Sequence, residues 1–225
     1  MGLLSEQDEE NVRAIFRDQL KSEVQALVFT QEHDCDYCVE ARELMEELSR
    51  LDGRIKVKSY DLDRDLQVAT IYGVDKTPAI IVARDGEKGR IRFFGLPAGH
   101  EFAALLEDLI DVSNGTSRLS PTSKAKISEI DRPLHIQVFV TTTCPHCPLA
   151  VRTAHQIALE SEMVTADMIE SMEFRQIALK YNVSSVPKTI INDRIELVGA
   201  LPEGRFIDSL LSALRTLDAM EKGKG

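Results

Sequence analysis

The chain has 225 residues, 43% hydrophobic and 28% charged, with 27 Lys and Arg against 37 Asp and Glu for a formal net charge of −10 at pH 7. That composition suits one large folded domain or two small ones and excludes disordered and collagen-like chains. The acidic balance argues against nucleic acid as a partner, and no apolar run reaches the ~18–20 residues that span a bilayer, so no membrane partner is expected either. The start Met1-Gly2-Leu3-Leu4-Ser5-Glu6 turns acidic too soon for a signal peptide, and the expected location is the cytoplasm.

In chain order, Ser5 with Asp8 makes an acidic helix start and a helix is predicted to about Lys21. A strand is predicted near Val24 to Thr30, leading into Cys35. Ala41, Leu44, Met45, Leu48 and Leu51 recur at helical spacing, so a helix is predicted to open at Cys35-Asp36-Tyr37-Cys38 and end before Gly53. Ile55 to Tyr60 alternates like a strand. A short helix to Tyr72, strands after Pro78 and near Ile91 to Phe94, and a helix from about Gly99 complete the order αβαβαββα. The polar stretch Ser113 to Ser120 reads as a boundary. Beyond it Ser120-Pro121 suits a helix start, and strands are predicted near Leu134 to Val140, Met163 to Ala166, Lys188 to Ile191 and Ile195 to Val198.

This second series repeats the first. Cys35 to Pro78 is 43 residues and Cys144 to Pro187 is also 43, and the segments Tyr72 to Pro78 and Tyr181 to Pro187 align at an offset of 109. An apolar run follows each proline, and Leu96-Pro97-Ala98-Gly99 is matched late in the second half by Leu201-Pro202-Glu203-Gly204. The chain therefore reads as two tandem units, 1–115 and 116–225.

The four cysteines fall as Cys35-Asp36-Tyr37-Cys38 and Cys144-Pro145-His146-Cys147, one pair per unit. In a cytoplasmic chain such pairs are catalytic or metal-binding. Two CxxC pairs could supply four thiolates to a structural zinc, although zinc ribbons usually separate their pairs by ~15–20 residues. Thiol–disulfide exchange needs one exposed thiolate and a second thiol near enough to resolve the mixed disulfide, and CxxC at a helix start supplies both.

A strand running into CxxC, a helix opening there, and a proline about forty residues later that begins a strand resemble the thioredoxin fold. Two such units in one chain resemble the tandem, glutaredoxin-like protein disulfide oxidoreductases of thermophilic archaea and bacteria. The resemblance implies an α/β fold of two tandem thioredoxin-like units, each a central four-stranded mixed sheet flanked by helices. It further implies reduction, oxidation or isomerisation of protein or peptide disulfides, with no cofactor beyond the redox-active disulfides themselves. The resemblance admits a flavoprotein disulfide reductase as electron donor, and a non-enzymatic module holding zinc through its CxxC thiols is the alternative.

Cys35 and Cys144 are then the nucleophiles, and Cys38 and Cys147 the resolving thiols. Pro78 and Pro187 fit the place where this fold puts a cis proline facing the CxxC, which makes Thr77 and Val186 the substrate-contact residues beside them. Pro145 is expected in the first helical turn and His146 as a group that stabilises the Cys144 thiolate, whereas Asp34 and Asp36 oppose a negative charge on Cys35. The C-terminal site should accordingly be the more reactive. Departures from thioredoxin are the lack of any Trp and of a carboxylate six residues before either pair, where Phe29 and Val138 stand. Tyr37 is expected to wall the first disulfide, His33 to face solvent, Pro97 and Pro202 to form turns, and the acidic runs Glu6 to Glu10 and Glu43 to Glu47 to be solvated helix faces.

Overall fold

The computed structural model of the chain describes residues 2–222, with side chains to residue 216. The first unit runs α1 Glu6–Gln19, β1 Val24–Thr30, α2 Cys38–Leu51, β2 Ile55–Asp61, α3 Leu66–Tyr72, β3 Ala79–Ala83, β4 Ile91–Phe94 and α4 Glu101–Asn114. The second repeats that order: α5 Pro121–Ile127, β5 Leu134–Val140, α6 Cys147–Glu160, β6 Val164–Glu170, α7 Arg175–Lys180, β7 Lys188–Ile191, β8 Ile195–Val198 and α8 Glu203–Lys222. The helix starts follow the sequence signals. Ser5 accepts the Asp8 N–H at 3.2 Å and Ser120 that of Ser123 at 3.2 Å, with Pro121 opening α5.

Each unit builds a four-stranded mixed sheet, in the orders β2-β1-β3-β4 and β6-β5-β7-β8. The two sheets do not stand apart: β4 pairs with β6 in parallel and fuses them into one eight-stranded sheet. In the register of that junction Arg92 lies beside Asp167, and both are buried. Arg92 Nε donates to Asp167 Oδ1 at 2.6 Å and Nη2 to Oδ2 at 2.9 Å, while Nη1 donates at 3.1 Å to the carbonyls of Tyr72 and Gly73. Burial favours the neutral acid, but the Arg92 charge and the His135 contact outweigh it and hold the Asp167 carboxyl below its ordinary range. This pair explains why β6 runs to Glu170 rather than ending at Ala166. Asp167 interrupts the apolar pattern, yet its charge is met inside the sheet.

Helices α1, α2, α4, α5, α6 and α8 cover one face, with Phe16, Met45, Leu105, Ile127, Val151 and Phe206 in the shared core. Helices α3 and α7 cover the other, over Leu27, Ile81, Phe94 and Phe139. On the first face α4 and α6 lie side by side across the junction, and the buried Arg152 guanidinium reaches Asp108 and Asp111 of α4. His155, wholly buried, sits 2.6 Å from Asp108 Oδ2 through Nδ1, and burial followed by the Arg152 charge lowers its pKa to about 3, so it is neutral.

Two sequence expectations need correction. Glu47 is not on a solvated face: it is buried and accepts the N–H groups of Leu3 and Leu4 at 2.8 and 3.0 Å, pinning the N-terminal segment to α2. The polar boundary stretch is shorter than its composition suggests, because α4 continues to Asn114 and is closed by Gly115 at φ 67°. The buried Ser113 hydroxyl accepts from the N–H groups of Lys21 and Ser22. Ser117 and Arg118 in turn donate to Glu160 and Gln156 of α6, so this connection is fastened along its length.

Strands β1 and β5 point the same way, because β1 and β5 both run opposite to β3 and β7 and the junction is parallel. They are four strands apart in the sheet, about 19 Å at ~4.8 Å per strand. Their C-terminal ends, where the two CxxC segments begin, therefore open on one edge of the molecule. Arg152→Ala should cost about 3–5 kcal/mol, since it strands the buried Asp108 without a cation and leaves Asp111 only Arg118 in the α4–α6 contact. Equilibrium urea unfolding measures it, and a loss under about 1 kcal/mol would mean that the carboxylates find other partners.

Candidate functional site

At the first site four residues, Gln31 to Asp34, carry the chain from β1 to Cys35, and Asp34 takes φ 57°. At the second only three, Thr141 to Thr143, separate β5 from Cys144, so the first loop holds one residue more and Asp34 absorbs it in a left-handed turn. Each pair is joined as a disulfide, Cys35–Cys38 with Cα atoms 5.6 Å apart and Cys144–Cys147 with 5.5 Å. The burial is alike in both: Cys35 and Cys144 are half-buried, Cys38 and Cys147 buried.

The second cysteine is the first residue of α2 or α6, so each disulfide lies against the N-terminal end of a 14-residue helix. Free N–H groups and the positive end of the helix dipole there favour a thiolate on the outer sulfur. The Gln31 N–H donates to Cys38 Sγ at 3.3 Å. Facing each pair is a cis peptide, Thr77–Pro78 or Val186–Pro187. Cys144 Sγ lies 3.9 Å from the Val186 carbonyl oxygen, and the buried Thr77 hydroxyl donates to Gln31 Oε1 at 2.6 Å, tying its loop to the segment that leads into Cys35.

Pro145 does not lie in the first helical turn. It precedes the cap residue His146, and Pro148 occupies the second helical position instead. A proline is tolerated there because the first-turn N–H groups have no partner within the helix. His146 is exposed and its ring makes no capping bond. Tyr37, 43% exposed, lines the first site, and His33 is exposed.

Both sites receive residues from the opposite unit. A cavity of about 300 Å³ is lined by Cys35, Thr77, Pro78 and Lys76, but also by Glu173 and Phe174 from the turn after β6. At the second site the loop before α4 packs on Thr142, whose carbonyl accepts the His100 N–H at 3.0 Å. Gly99 has φ 58°, and a Cβ there would come within 2.3 Å of that same carbonyl oxygen, so the approach requires glycine. A second cavity of about 560 Å³ runs between Asp36 and Tyr37 on one side and Thr141 to Thr143 on the other, over Leu96 and Met172. Two disulfides rooted on separate strands do not bring four sulfurs to one point, and among the described residues no group of three or more His, Cys, Asp or Glu is placed to hold a metal ion. No described helix is long and apolar enough to cross a membrane.

Residues 134–212 match the thioredoxin domain family. Among solved structures, a protein disulfide oxidoreductase from Aeropyrum pernix superposes with TM-score 0.87 at 28% identity, covering 93% of each chain. The chain resembles the tandem protein disulfide oxidoreductases. A structure of the alkylhydroperoxide reductase AhpF from Enterococcus faecalis gives TM-score 0.85 at 25% identity, over 92% of this chain and 99% of the other. AhpF of Staphylococcus aureus is 28% identical over 188 residues, 83% of this chain. The chain spans about a third of the length of such curated relatives, 33% in that case.

The position six residues before each pair, where thioredoxin has a carboxylate, is apolar here, Phe29 and Val138, both fully buried. A buried acid arrives by another route. Glu101, next to His100 and first in α4, has no exposed surface, and neither carboxylate oxygen has a hydrogen-bond partner. Helix α4 runs alongside α6 in the same direction, with Asp108 and Asp111 beside Arg152, and Ser117, just past its end, bonded to Glu160. That alignment sets Glu101 level with the start of α6 at Cys147. Burial pushes its carboxyl up to about 8. In the sequence an acid at a helix start reads only as a partner for the helix dipole, so nothing there marks it.

In the unfolded chain Glu101 ionises near its ordinary 4.5, and in the folded chain only near 8. Its neutral form thus favours the folded state fully below pH 4.5, and that advantage is lost as pH rises toward 8. Glu101→Gln removes the titration, so the variant should gain on the wild type across that window, by on the order of 2–3 kcal/mol at pH 7. Urea unfolding at pH 4, 6 and 8 checks this, and a pH-independent difference would contradict it.

Proposed function

We propose that the chain is a thiol–disulfide oxidoreductase acting on protein or peptide disulfides through two CxxC sites, one in each of the units 1–115 and 116–225. The observation that carries the reading is the repeated arrangement of a half-buried outer sulfur, a buried inner sulfur at a helix start and a cis proline facing them. Cys35 or Cys144, as thiolate, attacks a substrate disulfide, forming a mixed disulfide and expelling one substrate thiolate. Cys38 or Cys147 then attacks the bonded sulfur, closes the protein disulfide and releases the second thiolate, so two electrons pass to the substrate. Run backwards, the same steps oxidise a dithiol. No cofactor takes part besides the disulfides. The prolines Pro78 and Pro187, with Thr77 and Val186 before them, bound the groove in which an extended substrate chain lies.

The C-terminal site is the more reactive of the two. Its thiolate has no acidic neighbour in the Pro145-His146 dipeptide, whereas Asp34, Asp36 and Glu173 line the cavity of Cys35. Glu101, buried and unpartnered at the start of α4 where that helix runs level with the start of α6, serves the second site as proton acceptor for the resolving thiol. The likeness to AhpF of the alkyl hydroperoxide reductases supports a flavoprotein disulfide reductase as electron source and a peroxidase as one acceptor.

Reduction of insulin disulfides by dithiothreitol tests the assignment. Cys144→Ser should lower the rate at least tenfold and Cys35→Ser by much less. Equal losses would mean two coupled sites. Stoichiometric bound zinc with no reducible disulfide in the purified protein would overturn the reading in favour of a metal-holding module.

A further inference from the structure

The turn that follows β6 reaches out of its own unit to the first disulfide. Glu170 Oε2 accepts the N–H groups of Met172 and Glu173 at 2.7 Å each, and Glu173 Oε1 accepts the Leu96 N–H at 2.8 Å. This seats Glu173 on the loop after β4, where it shares a cavity of about 300 Å³ with Cys35, Thr77 and Pro78. Its Oε2 is buried and has no partner. The seat depends on Gly95, at φ 96°. A Cβ there would come within 2.6 Å of the Glu170 Cβ and 2.9 Å of Glu173 Oε1.

Among the described residues no counterpart of Glu173 stands in the equivalent place beside Cys144. The place of β4 is taken in the second unit by β8, the outermost strand, and a Cβ on Gly199 after it would meet no atom within 4 Å. An acid held in this way, on the loop after the fourth strand of the unit, is therefore a property of the first site, and it is created by the junction between the units.

We propose that Glu173 is the proton-holding group of the N-terminal site: as a neutral acid it protonates the thiolate that leaves when Cys35 attacks a substrate disulfide, and as a carboxylate it suppresses the Cys35 thiolate. The inference rests on the oxidoreductase reading of that site. In the step concerned, a Cys35–sulfur bond forms and the substrate S–S bond breaks. The electron pair of that bond leaves on the other substrate sulfur, which takes the proton of Glu173, and the carboxylate regains a proton from solvent.

The surroundings suit this role. Burial, partly countered by the Leu96 hydrogen bond and reinforced by Glu170, Asp36 and Glu40, pushes the Glu173 carboxyl up to about 7. Asp36 belongs to the CxxC segment and Glu40 to α2, and Glu40 too has a buried oxygen without a partner. From the cis-proline loop the cavity receives Asp75 and Lys76, whose charges are paired at 2.6 Å, and from the loop before Cys35 it receives Asp34. The one cation among its described lining residues is thus already neutralised by Asp75.

The test uses the full chain with Cys144→Ser and Cys147→Ser, so that only the first pair reacts. After reduction, the rate of Cys35 alkylation by iodoacetamide is followed from pH 4 to 10, with and without Glu173→Gln, which keeps a carbonyl oxygen for the Leu96 N–H. The parent should show two inflections, one near pH 7 from Glu173 and one from the thiol. The variant should lose the lower one and be alkylated at least threefold faster at pH 8. A single inflection in the parent, or superimposable curves, would overturn the assignment of Glu173, and the parent curve decides this even if the variant folds poorly. If instead the Cys35–Cys38 pair cannot be reduced and reoxidised at all, it is the oxidoreductase reading that fails.

Discussion

The parallel pairing of β4 with β6 is the constraint on which the remaining architecture depends. It brings a charged residue from each strand into the middle of a sheet, which is tolerable only because Arg92 and Asp167 meet there with two hydrogen bonds and the surplus donors of Arg92 find the carbonyls of Tyr72 and Gly73. With that pair in register, all eight strands share one twist and one core on each face. Helices α4 and α6 are then obliged to lie side by side, and Arg152 answers the carboxylates of α4.

A parallel junction relates the units by displacement along the sheet rather than by a two-fold axis. That is why both CxxC segments open on one edge, and why the units are not interchangeable. Each has a neighbour on one side only, and on opposite sides. The first unit lends the second the loop before α4 and the buried Glu101, while the second lends the first the turn that carries Glu173. Two buried acids, Glu101 and Glu173, lie along the same seam, on different elements and with different degrees of burial.

Much of this is legible in the chain itself. The order of elements, the repeat, the disulfide pairs and the facing prolines follow from local signals: apolar periodicity, helix-start residues and equal spacing. What escapes belongs to contacts between distant segments. Asp167 reads as lying past the end of a strand because its partner is 75 residues away in β4. Glu47 reads as solvated because the backbone groups it accepts from are those of Leu3 and Leu4. Glu101 and Glu173 are invisible as site residues, since each is proposed to serve a cysteine pair of the other unit and neither falls at a position equivalent to the other. Pro145 reads as a first-turn residue because the helix begins at the second cysteine of the motif rather than the first.

The outer strands of the sheet show what the junction would otherwise invite. By strand register, the place of Arg92 in β8 is held by Glu196 and the place of Asp167 in β2 by Lys58, and both are exposed. A further unit adding on either flank would have to bury Lys58 or Glu196 beside the partner each already has, Gln25 at 3.2 Å and Lys188 at 2.9 Å, with no guanidinium there to bridge two strands as Arg92 does. Charged flanks of this kind discourage strand-to-strand addition. An assembly whose geometry could extend indefinitely is thereby capped at both margins, and the same two sequence positions that weld its middle guard its ends against fibre growth.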